Sequence, residues 1–149
     1  MINPSNKIRT MTIDDYDGIY KLWAETEGMC LRNVDDSYEG INKFIKRNPE
    51  TCFVALDEWQ KIIGSVLCGS DGRRGYIYHL AVHKNYRKIG IGSNLVNEAA
   101  DALKGLGISK AALLVLRTNK EGNEFWEKMG YYERDDVIYR DKSLTDKNN

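Results

Sequence analysis

The spacing of apolar residues changes several times along this chain, and each change marks an element. Residues 8–12 read as a short strand after a polar start, and Thr12-Ile13-Asp14-Asp15 offers a helix cap with acids in the first turn. Tyr16, Ile19, Tyr20 and Trp23 then recur at helical spacing. Residues 27–34 lack periodicity and contain Gly28, which predicts a loop. Asp35-Asp36 would cap a second helix with Tyr38, Ile41, Phe44 and Ile45 on one face, ended by Asn48-Pro49. Residues 52–56, 62–68 and 76–82 are strand candidates joined by short polar turns, and links that short imply antiparallel neighbours.

The second half changes character. From residue 90 to 106, Ile91, Leu95, Val96, Ala99, Ala102, Leu103 and Leu106 follow one another at intervals of three and four, with Asn94, Asn97, Glu98, Asp101 and Lys104 opposite, which is an amphipathic helix. Residues 111–117 form a continuous apolar run suited to a buried central strand, and residues 119–129 a shorter helix stopped by Gly130. Residues 131–134 and 137–140 are brief strand candidates, and the polar tail from Thr145 is expected to be mobile. The sum is one mixed α/β domain over residues 1–149, its core at about 8–142.

Composition narrows the partners. With 22 basic and 22 acidic residues the chain carries no net charge, so no whole-protein field draws it to nucleic acid or an anionic membrane. Cys30, Cys52 and Cys68 form no C-x-x-C pair, and neither histidine lies near a cysteine pair, so no metal site is expected. No apolar run approaches the roughly 18 residues a spanning helix needs, and the start has no apolar signal region. The expectation is a cytoplasmic protein acting on small or locally recognised partners.

The segment richest in chemistry is Arg87-Lys88-Ile89-Gly90-Ile91-Gly92-Ser93, placed after a strand and opening the long helix. Glycines let a backbone come close to a ligand, and the free N–H groups at a helix start attract phosphate oxygens. Arg87 and Lys88 add positive charge. A Walker loop would need a Lys before its Ser, and a dinucleotide fingerprint a small residue where Leu95 stands, so both are excluded. An ordinary glycine-rich turn remains the competing reading.

His79-Leu80-Ala81-Val82, the four-residue spacer, Arg87-x-x-Gly90-x-Gly92-Ser93 and the following helix resemble the acetyl-CoA signature of the GNAT N-acetyltransferase superfamily. The segment from Asn119 through Phe125-Trp126 to Gly130-Tyr131 is similar to the family's second motif, so the resemblance spans about residues 8–142, as in small bacterial members. It implies a central, mostly antiparallel sheet of about seven strands flanked by four helices. It also implies acetyl-CoA as co-substrate, an amine acceptor, direct transfer without an acyl-enzyme, no metal, and a homodimer as an option.

The resemblance also assigns roles. Leu80, Ala81 and Val82 would run along the pantetheine arm, the N–H groups of residues 88–93 would hold the pyrophosphate, and Asn119 and Phe125 would flank the arm. The backbone N–H of Val82 would be the oxyanion donor. Trp126 stands where the family's usual general acid is a Tyr, and indole has no transferable proton near neutral pH. Trp126 is then read as a wall of the thioester pocket, with Tyr131, Tyr132 or water as the proton source.

For the base, the strand has no carboxylate, and His79 is the side-chain candidate because imidazole exchanges protons near pH 7. Strand alternation sets His79 opposite Tyr76, Tyr78 and Leu80, unless a bulge intervenes. Bound water is the alternative. Trp23, Glu27, Met29, Arg32 and Tyr78, with Tyr139, are the acceptor-site candidates. Glu25, Glu27, Asp35 and Asp36 could attract a cationic amine, whereas Arg32, Arg73 and Arg74 could hold a carboxylate. A catalytically silent acyl-CoA-binding or sensing module is the competing class of function, kept open by Trp126.

Overall fold

A computed structural model describes residues 7–149; the polar start, residues 1–6, lies outside the described residues. In chain order the elements are β1 (Lys7–Thr10), α1 (Tyr16–Ala24) after a short 3-10 turn, α2 (Tyr38–Arg47), β2 (Phe53–Leu56), β3 (Ile62–Val66), β4 (Cys68–Ser70), β5 (Gly75–Ile77), β6 (Ala81–Val82), α3 (Ile91–Gly105), β7 (Ala111–Leu113) and α4 (Lys120–Lys128). Strands β1-β2-β3-β6 form one antiparallel sheet. Strands β4-β5-β7 form a second sheet, in which β7 runs parallel to β5.

The central strands are apolar on both sides because helices cover both faces. One core cluster packs Ala55, Ile63, Leu95, Val96, Ala99 and Trp126 under α3 and α4, and the other packs Ile19, Trp23, Ile41, Val54 and Ala81 under α1 and α2. Each fully buried aliphatic side chain contributes about 1.5–3 kcal/mol before entropy is counted.

Two expected strands are broken at the level of the site. Residues 62–68 split at Leu67 into β3 and β4, and residues 76–82 split at Tyr78, His79 and Leu80 into β5 and β6. Leu67 holds the break together, since its N–H donates to the His79 carbonyl and its carbonyl accepts from Tyr78 N–H, while Leu80 N–H closes a tight turn on the Tyr78 carbonyl. The expected strand 111–117 stops at Leu113, so the chain beyond it leaves β6 unpaired on its outer side.

Other expectations are corrected. Ser37, not Asp35 or Asp36, caps α2: its Oγ accepts from Gly40 N–H at 3.0 Å. Residues 131–134 and 137–140 form no strand, so the seven strands are not the seven expected. There Tyr132, Val137, Ile138 and Tyr139 are exposed, Arg134 closes locally on Asp136, and Glu133 pairs with Arg117 instead of joining a ladder. The tail expected to be mobile is docked. Asn148 Oδ1 accepts from the N–H groups of Val34 and Asp35, its amide donates to Asp35 Oδ2, and the Asn149 carbonyl accepts from Asn33 N–H.

Candidate functional site

Gly90, at φ 94°, and Lys88, at φ 65°, both adopt the left-handed conformation just before α3. Alternating backbone handedness of this kind gathers successive N–H groups into an anion-binding concavity, and for Lys88 the conformation carries strain that a non-glycine residue rarely bears. The first α-helical bond of α3 runs from Asn94 N–H to the Gly90 carbonyl, and no side chain among the described residues caps the helix. The N–H groups of residues 90–93 therefore remain available, at the positive end of a 15-residue helix.

Arg87 is placed differently from expectation. Its Nε donates to the Val82 carbonyl at 3.0 Å, so the guanidinium first ties the loop back to β6 and only its outer nitrogens stay free to face an anion. Ile89 is half-buried against the α3-side core, which anchors the loop from below. The side chain of Ala81 is buried in the opposite core, whereas Leu80 and Val82 pack toward α3.

Val82 is opposite Gly64, and the bond from His83 N–H to the Ile63 carbonyl, 2.8 Å, fixes which pairs of this ladder exchange hydrogen bonds. The alternation of an antiparallel ladder then turns the Val82 N–H away from β3, toward the open edge. Gly92 closes the floor of the same recess. A Cβ built there would lie 3.6 Å from the Phe125 ring and 3.6 Å from Val82 Cγ2, so β6, α3 and α4 converge at this point.

On the α4 side, Phe125 is half-buried and does face α3. Asn119 is engaged as the cap of α4, its Oδ1 accepting from Gly122 N–H at 2.9 Å. Asn123, which sequence reasoning passed over, bonds the carbonyls of Leu116 and Asn119 and thereby holds the end of the diverging chain. Trp126 is buried core, edge-on to Phe125 and to Tyr131. Burial, with a smaller contribution from Cys68, pushes the half-buried Tyr131 phenol above its ordinary range, so it keeps its proton at neutral pH. Tyr132 is exposed.

The break at residues 78–80 overturns the alternation reading of His79. Tyr78 packs edge-on against Phe44 and His79 edge-on against Trp23, so two consecutive side chains point to the α1/α2 face, the signature of a bulge. His79 Nε2 lies 2.7 Å from Asp36 Oδ1, with 19% of the imidazole and 4% of the carboxylate exposed. Burial pushes the Asp36 carboxyl up, but hydrogen bonds from His79 and from the Arg32 backbone outweigh it and hold it below the usual carboxylate range. Sequence reasoning named Asp36 as a helix cap and as part of an acidic run that could attract an amine, and missed its pairing with His79.

The acceptor-site candidates separate. Trp23 is fully buried, with Nε1 donating to Ser65 Oγ at 3.0 Å, so it supports His79 from within the core instead of lining a surface. Met29 is half-buried against the same cluster; Glu27 is exposed, as is the Arg32 side chain. Tyr78 is half-exposed beside Tyr76 and Phe44, and burial raises its phenol. Cys52 and Cys68 are buried, with thiols pushed by burial to about 11 and about 12, which suits core residues and not nucleophiles. Among the described residues no helix is long and apolar enough to cross a membrane, and no group of three His, Cys, Asp or Glu gathers as a metal site.

Comparison with known proteins identifies the fold and the family. An acetyltransferase of Sodalis glossinidius is 30% identical over 138 residues, covering 93% of this chain and 95% of that protein. The Ard1 structure from Thermoplasma volcanium superposes with a TM-score of 0.75 at 19% identity, over 85% of this chain and 82% of that one. The PaiA N-acetyltransferase from Thermoplasma acidophilum, solved in complex with coenzyme A, gives 0.72 at 22% identity, over 83% and 87%. Residues 16–131 match the acetyltransferase (GNAT) family, and this chain belongs to it.

Proposed function

We propose that this protein transfers the acetyl group of acetyl-CoA directly to a primary amine, free or on a peptide, in the recess bounded by β6, α3 and α4. One observation carries the reading: the uncapped start of α3, reached through two left-handed residues, lies beside a strand whose Val82 N–H is turned to the open edge. The family relationship supplies the donor, an activated thioester whose carbonyl oxygen gains charge as the amine adds and whose thiolate then leaves.

The chain's own residues do the rest. The N–H groups of Lys88, Ile89, Gly90, Ile91, Gly92 and Ser93, with the outer nitrogens of Arg87, hold the pyrophosphate at the helix dipole. Val82 and the Leu80 carbonyl offer backbone to the pantetheine arm, while Ala81, paired with Ser65, keeps its backbone turned to β3; Phe125 packs along the arm, with Trp126 as the wall behind. Val82 N–H meets the developing oxyanion, a contact worth about 2.7–4 kcal/mol where such donors have been removed. His79, whose ring lies on the α1/α2 face, takes the proton of an amine that enters from that face at the break between β5 and β6 while the donor lies in the α3/α4 recess, and Tyr131 or water returns a proton to the thiolate. The protein acts in the cytoplasm, and a homodimer is compatible with the exposed residues 132–144.

Calorimetric titration with acetyl-CoA, followed by amines and peptides while free thiol is monitored, tests this. Binding with thiol release on one amine supports the enzyme and names its acceptor class. Binding without release across a broad panel supports a sensing module, and absence of binding overturns the assignment of residues 87–93.

A further inference from the structure

We propose that Asp36 is the positioning residue of the reaction: it fixes the tautomer and orientation of His79 and pairs with the imidazolium that forms when His79 accepts the amine's proton. The inference rests on the reading of His79 as base and adds to it a residue 43 positions away in sequence.

An ionised carboxylate only accepts hydrogen bonds, so the 2.7 Å contact places the imidazole proton on Nε2. Nδ1 then holds the lone pair that receives a proton. The other contact to the ring is the edge-on Trp23, centroids 4.8 Å apart, and Trp23 is itself fixed by its bond to Ser65. A histidine held on two sides while its ring stays 19% exposed is anchored and reachable at once.

Asp36 is held as firmly as the ring. Its Oδ2 accepts from Arg32 N–H at 2.7 Å and its carbonyl accepts from the Tyr16 hydroxyl at 2.7 Å. The loop behind it is clamped: a Cβ at Gly40 would collide with the Val34 carbonyl and sit 2.5 Å from the Asp35 carbonyl oxygen, so this loop closes on α2 only over glycine. The docked Asn148 fastens the same loop from outside. Burying a carboxylate costs several kcal/mol unless its partners compensate, and an apolar pair in its place is often as stable. A buried acid that the Arg32 N–H fixes through one oxygen and that meets a partly exposed histidine with the other points to proton chemistry.

The proton balance is simple. The acceptor ammonium gives one proton to Nδ1; the neutral amine adds to the thioester carbonyl, and the C–S bond breaks as the C–N bond is kept; the nitrogen's second proton makes good the one that Tyr131 or water gives the departing thiolate; and the imidazolium, paired with Asp36, returns its proton to solvent. The test is a double-mutant cycle on the full chain, with kcat, acetyl-CoA affinity and circular dichroism measured for each variant. His79→Ala lowers kcat about 100-fold or more at unchanged acetyl-CoA affinity. Asp36→Asn lowers it about 10–100-fold, and adding Asp36→Asn to His79→Ala costs nothing further.

If His79→Ala retains kcat, the base reading fails and the positioning role with it. If His79→Ala is impaired but Asp36→Asn is not, or if the two losses multiply, the base stands and the role of Asp36 is overturned. Should Asp36→Asn fail to fold, the nitrogen chemical shifts of His79 in the unaltered protein decide: a proton on Nε2 supports the proposal, and a proton on Nδ1 overturns it.

Discussion

Replacing Gly92 by Glu separates the anion cradle from an ordinary helix start. The Cβ fits at 3.6 Å from Phe125 and from Val82, so the fold has room for the first carbon. The helix gains from the change: losing a glycine contributes roughly 0.5–1 kcal/mol and an acid in the first turn roughly 0.3–1 kcal/mol. Thermal unfolding should then stay level or rise by about 2–4 °C per kcal/mol gained. Coenzyme A meets the opposite effect. A carboxylate about 5 Å from one phosphate charge, at an effective dielectric of about 20, costs about 3 kcal/mol, a few hundredfold in affinity. Gly92→Ala adds contact without charge and should cost less than about tenfold, since each factor of ten is 1.4 kcal/mol. Calorimetry with coenzyme A at low and high salt reads both, and the Glu penalty should shrink as salt rises. A folded Gly92→Glu variant that binds within about threefold of the unaltered protein would refute the cradle.

Trp126→Tyr tests the wall reading: because Trp126 is 8% exposed in the core, the smaller ring should lower the unfolding midpoint and leave turnover level or reduced, while a clear rise in turnover would show that the native site lacks an efficient acid. Acid titration of stability tests the two buried carboxyls that are held below their ordinary range, Asp15, bonded twice to Arg9, and Asp36. Each has a folded pKa below its unfolded value, so its contribution is fully present above about pH 4 and is lost as pH falls through the folded value. A stability curve that starts to fall well above pH 5 would assign the loss to other groups.

What could be read in the sequence was local. The loop ahead of α3 declares itself because its glycines, its charges and the helix it opens are contiguous, and φ 94° at Gly90 answers directly to residue type. The period of α3 likewise needs no distant partner. The orientation of His79 was not legible, because it follows from the break at Leu67, twelve residues earlier, whose backbone groups are shared with Tyr78 and His79. Trp23, on the apolar face of the first helix, reads as an acceptor-site candidate, and only Ser65, 42 residues on, shows why its indole is buried. Asp36 beside Asp35 reads as a cap in one dimension, but its partner is supplied by a different sheet edge. The C-terminal strands were overread from short apolar runs, where a local Arg134 and Asp136 pair bends the chain instead.

The separation of β5 from β6 also divides the molecule mechanically. On one side, β1-β2-β3-β6 is a four-stranded antiparallel ladder; on the other, β4-β5-β7 is a small sheet joined to it through Leu67 and the turn at residues 78–80. Two ladders sharing so narrow a seam can open at different free energies, so amide hydrogen exchange should resolve them as two cooperative units in the free protein. A ligand arm bonded along residues 80–82 would act as the missing strand between them. Its arrival should slow exchange at Val82 and fuse the two units into one.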